Sequence, residues 1–141
     1  MTGDPMTDDL KPLPRVTADS RPFWEGCAQG ELRYQRCTAC GHVQFPLRPF
    51  CTRCRVAEPA VERSAGRGTV HSYTVVFRAP TPAFKADVPY TIALIDFDEG
   101  FRIMANLRDC PPESAAIGLR VGVVFEPLRD GGALPQVRPQ E

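Results

Sequence analysis

The C-terminal half of the chain alternates apolar and polar residues in short runs that turn-forming residues separate. Such alternation puts successive side chains on opposite faces of a β-strand. The pattern predicts five strands, at residues 69–77, 90–97, 101–107, 119–127 and 133–137. Only about one turn of helix fits between the third and fourth. Five short strands with so little helix are typical of a small closed barrel, and the OB-fold is the commonest version.

A short helix is predicted before the strands. Four apolar residues recur there at helical spacing, before a helix-ending Gly30: Phe23, Trp24, Cys27 and Ala28. We expect core packing for this stripe, and docking of Phe23 and Trp24 on a partner protein is the alternative. Residues 1–19 contain three prolines, scattered charges and no periodicity. We expect this segment to be a disordered tail.

Two C-x2-C pairs lie between the helix and the barrel strands, ten residues apart: Cys37, Cys40, Cys51 and Cys54. Each two-residue gap lets one turn aim both sulfurs at the same ion, and Gly41 follows the first pair, where a tight turn favours positive φ. Two such pairs are typical of a structural Zn²⁺ site with no open coordination position. A disulfide pair, a redox centre or an iron–sulfur cluster is the alternative. The symmetric pairs and the lack of a recognisable signal peptide favour one structural zinc in a zinc ribbon.

These elements predict a mainly β protein: an N-terminal helix, a zinc ribbon and a five-stranded barrel. We therefore divide the chain into the tail at 1–19, the helix and ribbon at 20–62, and the barrel domain at 63–139. Residues 55–62 are interpreted as a connector without regular structure.

The charges balance, with 17 basic and 17 acidic residues among 141. This balance argues against general attraction to nucleic acid or to an anionic membrane. No apolar run approaches the roughly 20 residues of a membrane-spanning helix. With no targeting segment recognised, we expect a cytoplasmic protein.

Several motifs in chain order then point to a known family: ELRYQRCTACG, FPLRPFCTRC, GRGTVHSYTVV and VPYTIALIDFDEGFRIMANL. Over residues 23–139 the chain resembles the zinc-ribbon/OB-fold acyl-CoA-associated family, long catalogued as a domain of unknown function. The resemblance implies a rubredoxin-like zinc ribbon followed by an OB-fold. It also implies a non-catalytic accessory subunit that binds acyl-CoA, a thiolase-fold partner enzyme, or both, in a hetero-oligomer.

By this resemblance the complex would act as a lyase or acyltransferase, with the catalytic residues on the partner. Retro-aldol cleavage of steroid side-chain CoA esters is the leading example, and a related thiolase or acyltransferase reaction is the next. One alternative is a partner of a hot-dog-fold enoyl-CoA hydratase. Others are a nucleic-acid-binding zinc-ribbon/OB-fold protein, which the neutral charge disfavours, and a small autonomous enzyme.

The residues themselves support a non-catalytic role. The chain has two histidines and no G-x-S-x-G or phosphate-binding Gly-rich motif. Cys27 and Cys110 are interpreted as small buried hydrophobic residues. Three acidic residues resemble a catalytic carboxylate set, although a hairpin turn accounts for them equally: Asp96, Asp98 and Glu99.

Candidate contacts to CoA or to a partner lie on three elements. Guanidinium groups suit phosphate oxygens, so three ribbon arginines are candidates for CoA phosphates or an acidic groove: Arg48, Arg53 and Arg55. Phe23 and Trp24 are candidates on the helix. His71, expected on the same strand face as Tyr73, is either a hydrogen-bonded wall residue or a contact to substrate or partner.

Overall fold

The computed structural model of the protein describes residues 10–55 and 58–140. Within them a helix, α1 (Arg21–Ala28), precedes the strands β1 (Arg33–Arg36), β2 (Val43–Gln44), β3 (Ala60–Arg63), β4 (Arg67–Val76), β5 (Tyr90–Phe97), β6 (Arg102–Leu107), β7 (Arg120–Pro127) and β8 (Ala133–Pro139). Two 3-10 turns cover Pro82–Asp87 and Pro112–Ser114. None of the helices in this part of the chain is long and apolar enough to cross a bilayer. Residues 1–9 of the expected disordered tail lie outside the described residues.

Helix α1 buries two of the four residues of the apolar stripe predicted for it. Phe23 and Cys27 are buried, while Ala28 is exposed at the C-terminal end. The Arg33 guanidinium crosses from β1 and donates to the Pro22 carbonyl oxygen at 3.0 Å. This crossing uses the space beside Gly26, where an added Cβ would lie 2.6 Å from the Arg33 side chain. The helix is thereby tied to the ribbon.

The ribbon is built on a three-stranded antiparallel sheet in the order β2-β1-β3. Strand β3 corrects the prediction that residues 55–62 are an irregular connector. It pairs with β1 from Arg33↔Arg63 to Arg36↔Ala60. Its burial alternates only between half-buried and exposed, because it lies at a sheet edge. Its sequence therefore lacks the apolar alternation that reveals a strand with one buried face.

The barrel is closed, with strand order β4-β5-β6-β8-β7, which confirms the predicted five-stranded OB-type barrel. Its pairings are antiparallel except for the contact between β6 and β8 at Leu107↔Val137. Strand β5 shows strict alternation, with Thr91, Ala93, Ile95 and Phe97 pointing into the core. The predicted hairpin turn at 98–100 joins β5 to β6, and Gly100 adopts φ 107° there. The observed fold is mainly β, as predicted.

Strand β4 contains a β-bulge that sequence alternation did not reveal. Its register with β5 shifts between Val70, opposite Ile95, and Ser72, opposite Leu94. His71 is the extra residue and is exposed. The expectation that His71 shares a face with Tyr73 is wrong, because a bulge changes which face the residues before and after it occupy.

The ribbon and the barrel meet at a cluster of aromatic rings centred on Phe101 in the barrel. Its ring stacks on Tyr34 of β1 with centroids 4.8 Å apart and on Phe97 of β5 at 5.0 Å. Phe45, next to β2, lies 6.0 Å from Phe101 and 5.1 Å from Phe23 of α1. One connected core thus runs through the helix, the ribbon and the barrel.

Candidate functional site

The four predicted cysteines converge in the structure, where their Sγ atoms all lie within 4.8 Å of one another. The Cys37–Cys54 and Cys40–Cys51 sulfur pairs are each 3.6 Å apart. A disulfide needs about 2.05 Å, so the sulfurs are not bonded to each other. Four thiolates around Zn²⁺ at about 2.3 Å would be roughly 3.8 Å apart. The four-cysteine cluster therefore fits a single tetrahedral metal ion.

The two C-x2-C turns share one backbone geometry. In the first, the amides of Ala39 and Cys40 both point at the Cys37 sulfur at 3.4 Å. In the second, the amides of Arg53 and Cys54 point at the Cys51 sulfur at the same distance. Amide donors stabilise a thiolate more than a thiol. The first sulfur of each turn is thus set up to bind a cation.

These hydrogen bonds lower the pKa of the first thiol in each turn. Donation from the Cys40 amide holds the pKa of Cys37 below its usual range. Donation from the Cys54 amide, with that from Arg53, lowers the pKa of Cys51 to about 6. Metal binding requires deprotonated sulfur, so the amide donors favour the ligating form of the first cysteine in each turn.

Each turn closes through a residue with a left-handed backbone. Gly41 follows the first turn with φ 76°, and its amide donates to the Cys37 carbonyl at 3.0 Å. Arg55 follows the second with φ 61°, and its amide donates to the Cys51 carbonyl at 3.0 Å. Glycine adopts this conformation freely, whereas an L-residue with a side chain is strained there. The second turn therefore carries strain that the first avoids.

Two buried glutamines support the cluster, and sequence reasoning did not single them out. The Gln44 amide donates to Gln35 Oε1 at 2.9 Å, and Gln44 Oε1 accepts from the Thr52 amide at 2.9 Å. Gln35 also exchanges hydrogen bonds with the backbone of Arg48, at 2.8 and 2.9 Å. These hydrogen bonds link β1 and β2 to the segment that carries the second cysteine turn. On an alternating strand Gln35 would face solvent, so no sequence signal marked it.

The arginines proposed for CoA or a partner all lie on the ribbon, and Arg48, Arg53 and Arg55 are exposed. Phe23 is buried, whereas docking on a partner protein requires an exposed ring. It is 6% exposed, and its ring contacts Trp24 and Phe45 within the chain's own core. Trp24 is half-buried beside it.

His71 lies on the barrel and takes part in a small charge cluster. Its Nδ1 is 3.1 Å from Asp96 and 3.3 Å from the Arg102 guanidinium. Arg102 Nε donates to Asp96 at 2.6 Å, and this bond holds the pKa of Asp96 below its usual range. The group is a self-neutralised surface cluster.

The other two hairpin carboxylates are also engaged. Arg120 donates to both oxygens of Asp98 at 2.8 Å, which lowers the pKa of Asp98. Glu99 accepts from the Ser64 hydroxyl and the Ala65 amide, each at 2.7 Å. Both carboxylates stabilise the hairpin and the segment leading into β4. They do not form a carboxylate pair poised for acid–base catalysis.

The two cysteines outside the cluster are not activated. Burial raises the pKa of Cys27 to about 12, so it is a neutral thiol in the core. Burial also raises the pKa of Cys110. Neither has the lowered pKa of a nucleophilic cysteine.

Two family models match consecutive parts of the chain. The model described as "ChsH2, rubredoxin-like zinc ribbon domain" matches residues 24–60. The model described as "ChsH2, C-terminal OB-fold domain" matches residues 61–126. Together they cover the cysteine cluster and most of the barrel.

Curated relatives differ in how much of their length the chain spans. A "DUF35 domain-containing scaffold protein" of Methanothermobacter thermautotrophicus is 39% identical over 72% of this chain and 76% of its own length. A "3-oxo-4,17-pregnadiene-20-carboxyl-CoA hydratase alpha subunit" of Mycobacterium tuberculosis is 36% identical over 84% of this chain. The chain spans only 38% of that subunit.

A solved structure described as an "Ltp2-ChsH2(DUF35) aldolase" contains a similar chain. The two superpose with a TM-score of 0.81 at 33% sequence identity. The match covers 90% of this chain and 98% of that one.

Proposed function

Because the chain belongs to the ChsH2/DUF35 family, which joins a rubredoxin-like zinc ribbon to an OB-fold, we propose that it is an accessory subunit of a thiolase-type enzyme acting on CoA thioesters. The chain itself would be non-catalytic. The complex would be a lyase or acyltransferase, with retro-aldol cleavage of steroid side-chain CoA esters as the leading reaction. The proposed units of the chain are the tail at 1–19, the helix and ribbon at 20–62, and the barrel at 63–139.

The observation that carries this proposal is the near-complete match to the chain in the Ltp2-ChsH2(DUF35) aldolase. That match spans 98% of the other chain, whereas the hydratase alpha subunit is matched over 38% of its length. A relative of equal size in an aldolase supports an accessory subunit of the same kind. A hydratase partner remains the second candidate, favoured by the name of that longer relative.

The geometry of the cysteine cluster supports a structural metal, and we propose one Zn²⁺ per chain, held by Cys37, Cys40, Cys51 and Cys54. Zinc would supply cross-linking of the two cysteine turns and no reaction chemistry, because four thiolates fill its coordination. The described carboxylates of the barrel hairpin are engaged by arginines or by backbone and hydroxyl donors. Both points support a subunit that relies on its partner for catalysis.

The test of this function begins with the purified full chain, assayed alone against acyl-CoA and enoyl-CoA esters, and then with a thiolase-fold enzyme. That enzyme is obtained by co-purification with the tagged chain, identified by mass spectrometry and produced separately. We expect no turnover by the chain alone and turnover by the reconstituted complex. Turnover by the chain alone would refute the accessory role. Turnover only with an enoyl-CoA hydratase would establish the second candidate instead.

The exposed ribbon arginines are proposed to contact CoA phosphates or an acidic groove of the partner. Replacing Arg48, Arg53 and Arg55 with Gln should weaken acyl-CoA binding or assembly by about tenfold or more, because charge-assisted hydrogen bonds contribute about 1.5–3 kcal/mol each. A control variant replaces three exposed arginines elsewhere with Gln: Arg21, Arg78 and Arg138. Unchanged affinity and assembly in the ribbon variant would refute this role. Salt-sensitive binding of single-stranded RNA or DNA would point to the nucleic-acid alternative.

A further inference from the structure

The outer side of strands β4, β5 and β6 presents a continuous uncharged surface. Residues directly opposite on antiparallel strands share a face. Ser72, Leu94 and Met104 form one such row, and Thr74, Ile92 and Asn106 form the next. Val76, opposite Tyr90, extends the surface along β4. We call these residues the apolar sheet face: Ser72, Thr74, Val76, Ile92, Leu94, Met104 and Asn106.

The apolar sheet face is accessible, in contrast to the opposite side of the same strands. Met104 is 66% exposed, Thr74 is exposed, and the other five residues are half-buried. The alternate residues Ala93 and Ala105 are at most 8% exposed, because they point into the barrel. A protein rarely leaves such a surface open without a binding role.

At each end of the apolar sheet face, side chains contact one another. At one end stands the cluster of His71, Asp96 and Arg102, whose charges are paired internally. At the other end the Tyr90 ring lies 6.1 Å from Phe84 in the 3-10 turn. None of the seven residues of the face itself is charged.

We propose that the apolar sheet face is where the thiolase-fold partner enzyme docks, through an uncharged apolar surface of its own. This rests on the function proposed above. The cores of protein–protein interfaces are depleted in charge and enriched in methionine and aromatic residues. Nucleic acid or the phosphates of CoA would require cations, and none of the seven residues supplies one. Charge complementarity therefore selects a neutral protein surface.

The assignment divides the recognition tasks between two parts of the molecule. The ribbon carries the exposed cations Arg48, Arg53 and Arg55, which suit an anionic group. The apolar sheet face carries none and suits a protein. A variant that loses the contact made by the ribbon arginines should therefore keep the contact made by the apolar sheet face, and the reverse.

The experiment measures binding of the full chain to the separately produced thiolase-fold enzyme by titration calorimetry. Met104→Glu places a negative charge at an exposed position on β6, and Thr74→Lys places a positive charge on β4, on the far side of β5. Each should weaken binding by about tenfold or more, because a charge buried without a partner is strongly disfavoured. Val61→Glu, at a 43% exposed apolar position on β3, is the matched control and should bind as the wild type does. Circular dichroism of each variant verifies the fold.

The outcomes separate this inference from the proposed function. If no thiolase-fold enzyme binds the wild-type chain, the proposed function fails and the docking site fails with it. If the enzyme binds the wild type and both face variants equally, only the docking site is overturned. A wild-type chain that is dimeric alone at about 10 μM, with a monomeric Met104→Glu variant, would assign the face to a second copy and also overturn the inference.

Discussion

The ribbon and the barrel are each stabilised by a different mixture of interactions. The barrel core is mainly apolar, and Val70, Ile95, Val121 and Val137 are each at most 1% exposed. The ribbon contributes Tyr34 and Leu47 to the shared core, but it also buries two cysteines of the cluster and two glutamines that hydrogen-bond to each other and to nearby backbone. A segment this short cannot bury enough apolar area to fold unaided. The difference teaches that a metal site and buried hydrogen bonds supplement the hydrophobic core where a segment is too small to rely on it alone.

Removing the metal should have the largest effect, and this effect should be confined to the ribbon. With zinc chelated, or with Cys51→Ser, we expect the ribbon amides to lose hydrogen-exchange protection while β4–β8 keep theirs. The free energy of unfolding of the ribbon should fall by an amount on the order of 10 kcal/mol, which is typical of the binding free energy of a structural zinc site. Cys110→Ser, outside the cluster, is the control and should retain one zinc per chain. Protection that persists in the metal-free ribbon would contradict this account.

Truncating the barrel core should have the next largest effect. Ile95 is 0% exposed, so Ile95→Ala should lower the free energy of unfolding by about 2–5 kcal/mol. Denaturant titration measures this loss, and the zinc content under native conditions should stay unchanged. Met104→Ala, at a 66% exposed position on the neighbouring strand, should change stability by no more than about 0.5 kcal/mol. Equal losses in the two variants would mean that the barrel core is not the main source of stability.

The glutamine network offers a smaller and more local test. Gln44→Ala leaves the Thr52 amide without its acceptor and removes one of the two donors to Gln35 Oε1. We expect a loss of about 1–3 kcal/mol, because an unsatisfied buried polar group keeps its desolvation cost. The loss should appear as weaker zinc retention in competition with a colorimetric chelator. Gln140→Ala, at an exposed position, should leave retention as it is. Wild-type retention in Gln44→Ala would show that the network does not support the metal site.

The two cysteine turns should respond oppositely to exchange of their closing residues. Gly41→Ala forces a side chain into a left-handed backbone at φ 76° and should cost about 1 kcal/mol. Arg55→Gly removes the same strain at φ 61° and should raise the stability of the ribbon by up to about 1 kcal/mol. Thermal unfolding of the zinc-loaded protein measures both shifts. Shifts of the same sign would refute the asymmetry between the turns.

The sequence predicted the elements whose residues carry a periodic or chemical signature. The barrel strands have one buried face, so alternation located β5 at residues 90–97 as observed. The cysteine spacing predicted the four-sulfur cluster. The zinc identity and the roles of the three ribbon arginines and Trp24 stay predictions.

The features that were not predicted depend on tertiary context. Strand β3 is an edge strand with little to bury, and its pairing with β1 supplies the order that its residues do not encode locally. The bulge at His71 is a register shift between β4 and β5, which the residues of β4 alone do not reveal. Gln35 is buried because the loop that returns to the second cysteine turn covers it. Each of these depends on a distant segment of the chain.

The link between Glu99 and residues 64 and 65 has a consequence for assembly. Because one carboxylate holds the hydroxyl of Ser64 and the amide of Ala65, the short passage from ribbon to barrel is fixed in direction. A complex that engaged both the ribbon and the barrel would gain from high effective concentration only when its own spacing matched that of the two surfaces. Loosening that joint would lower avidity without altering either contact surface.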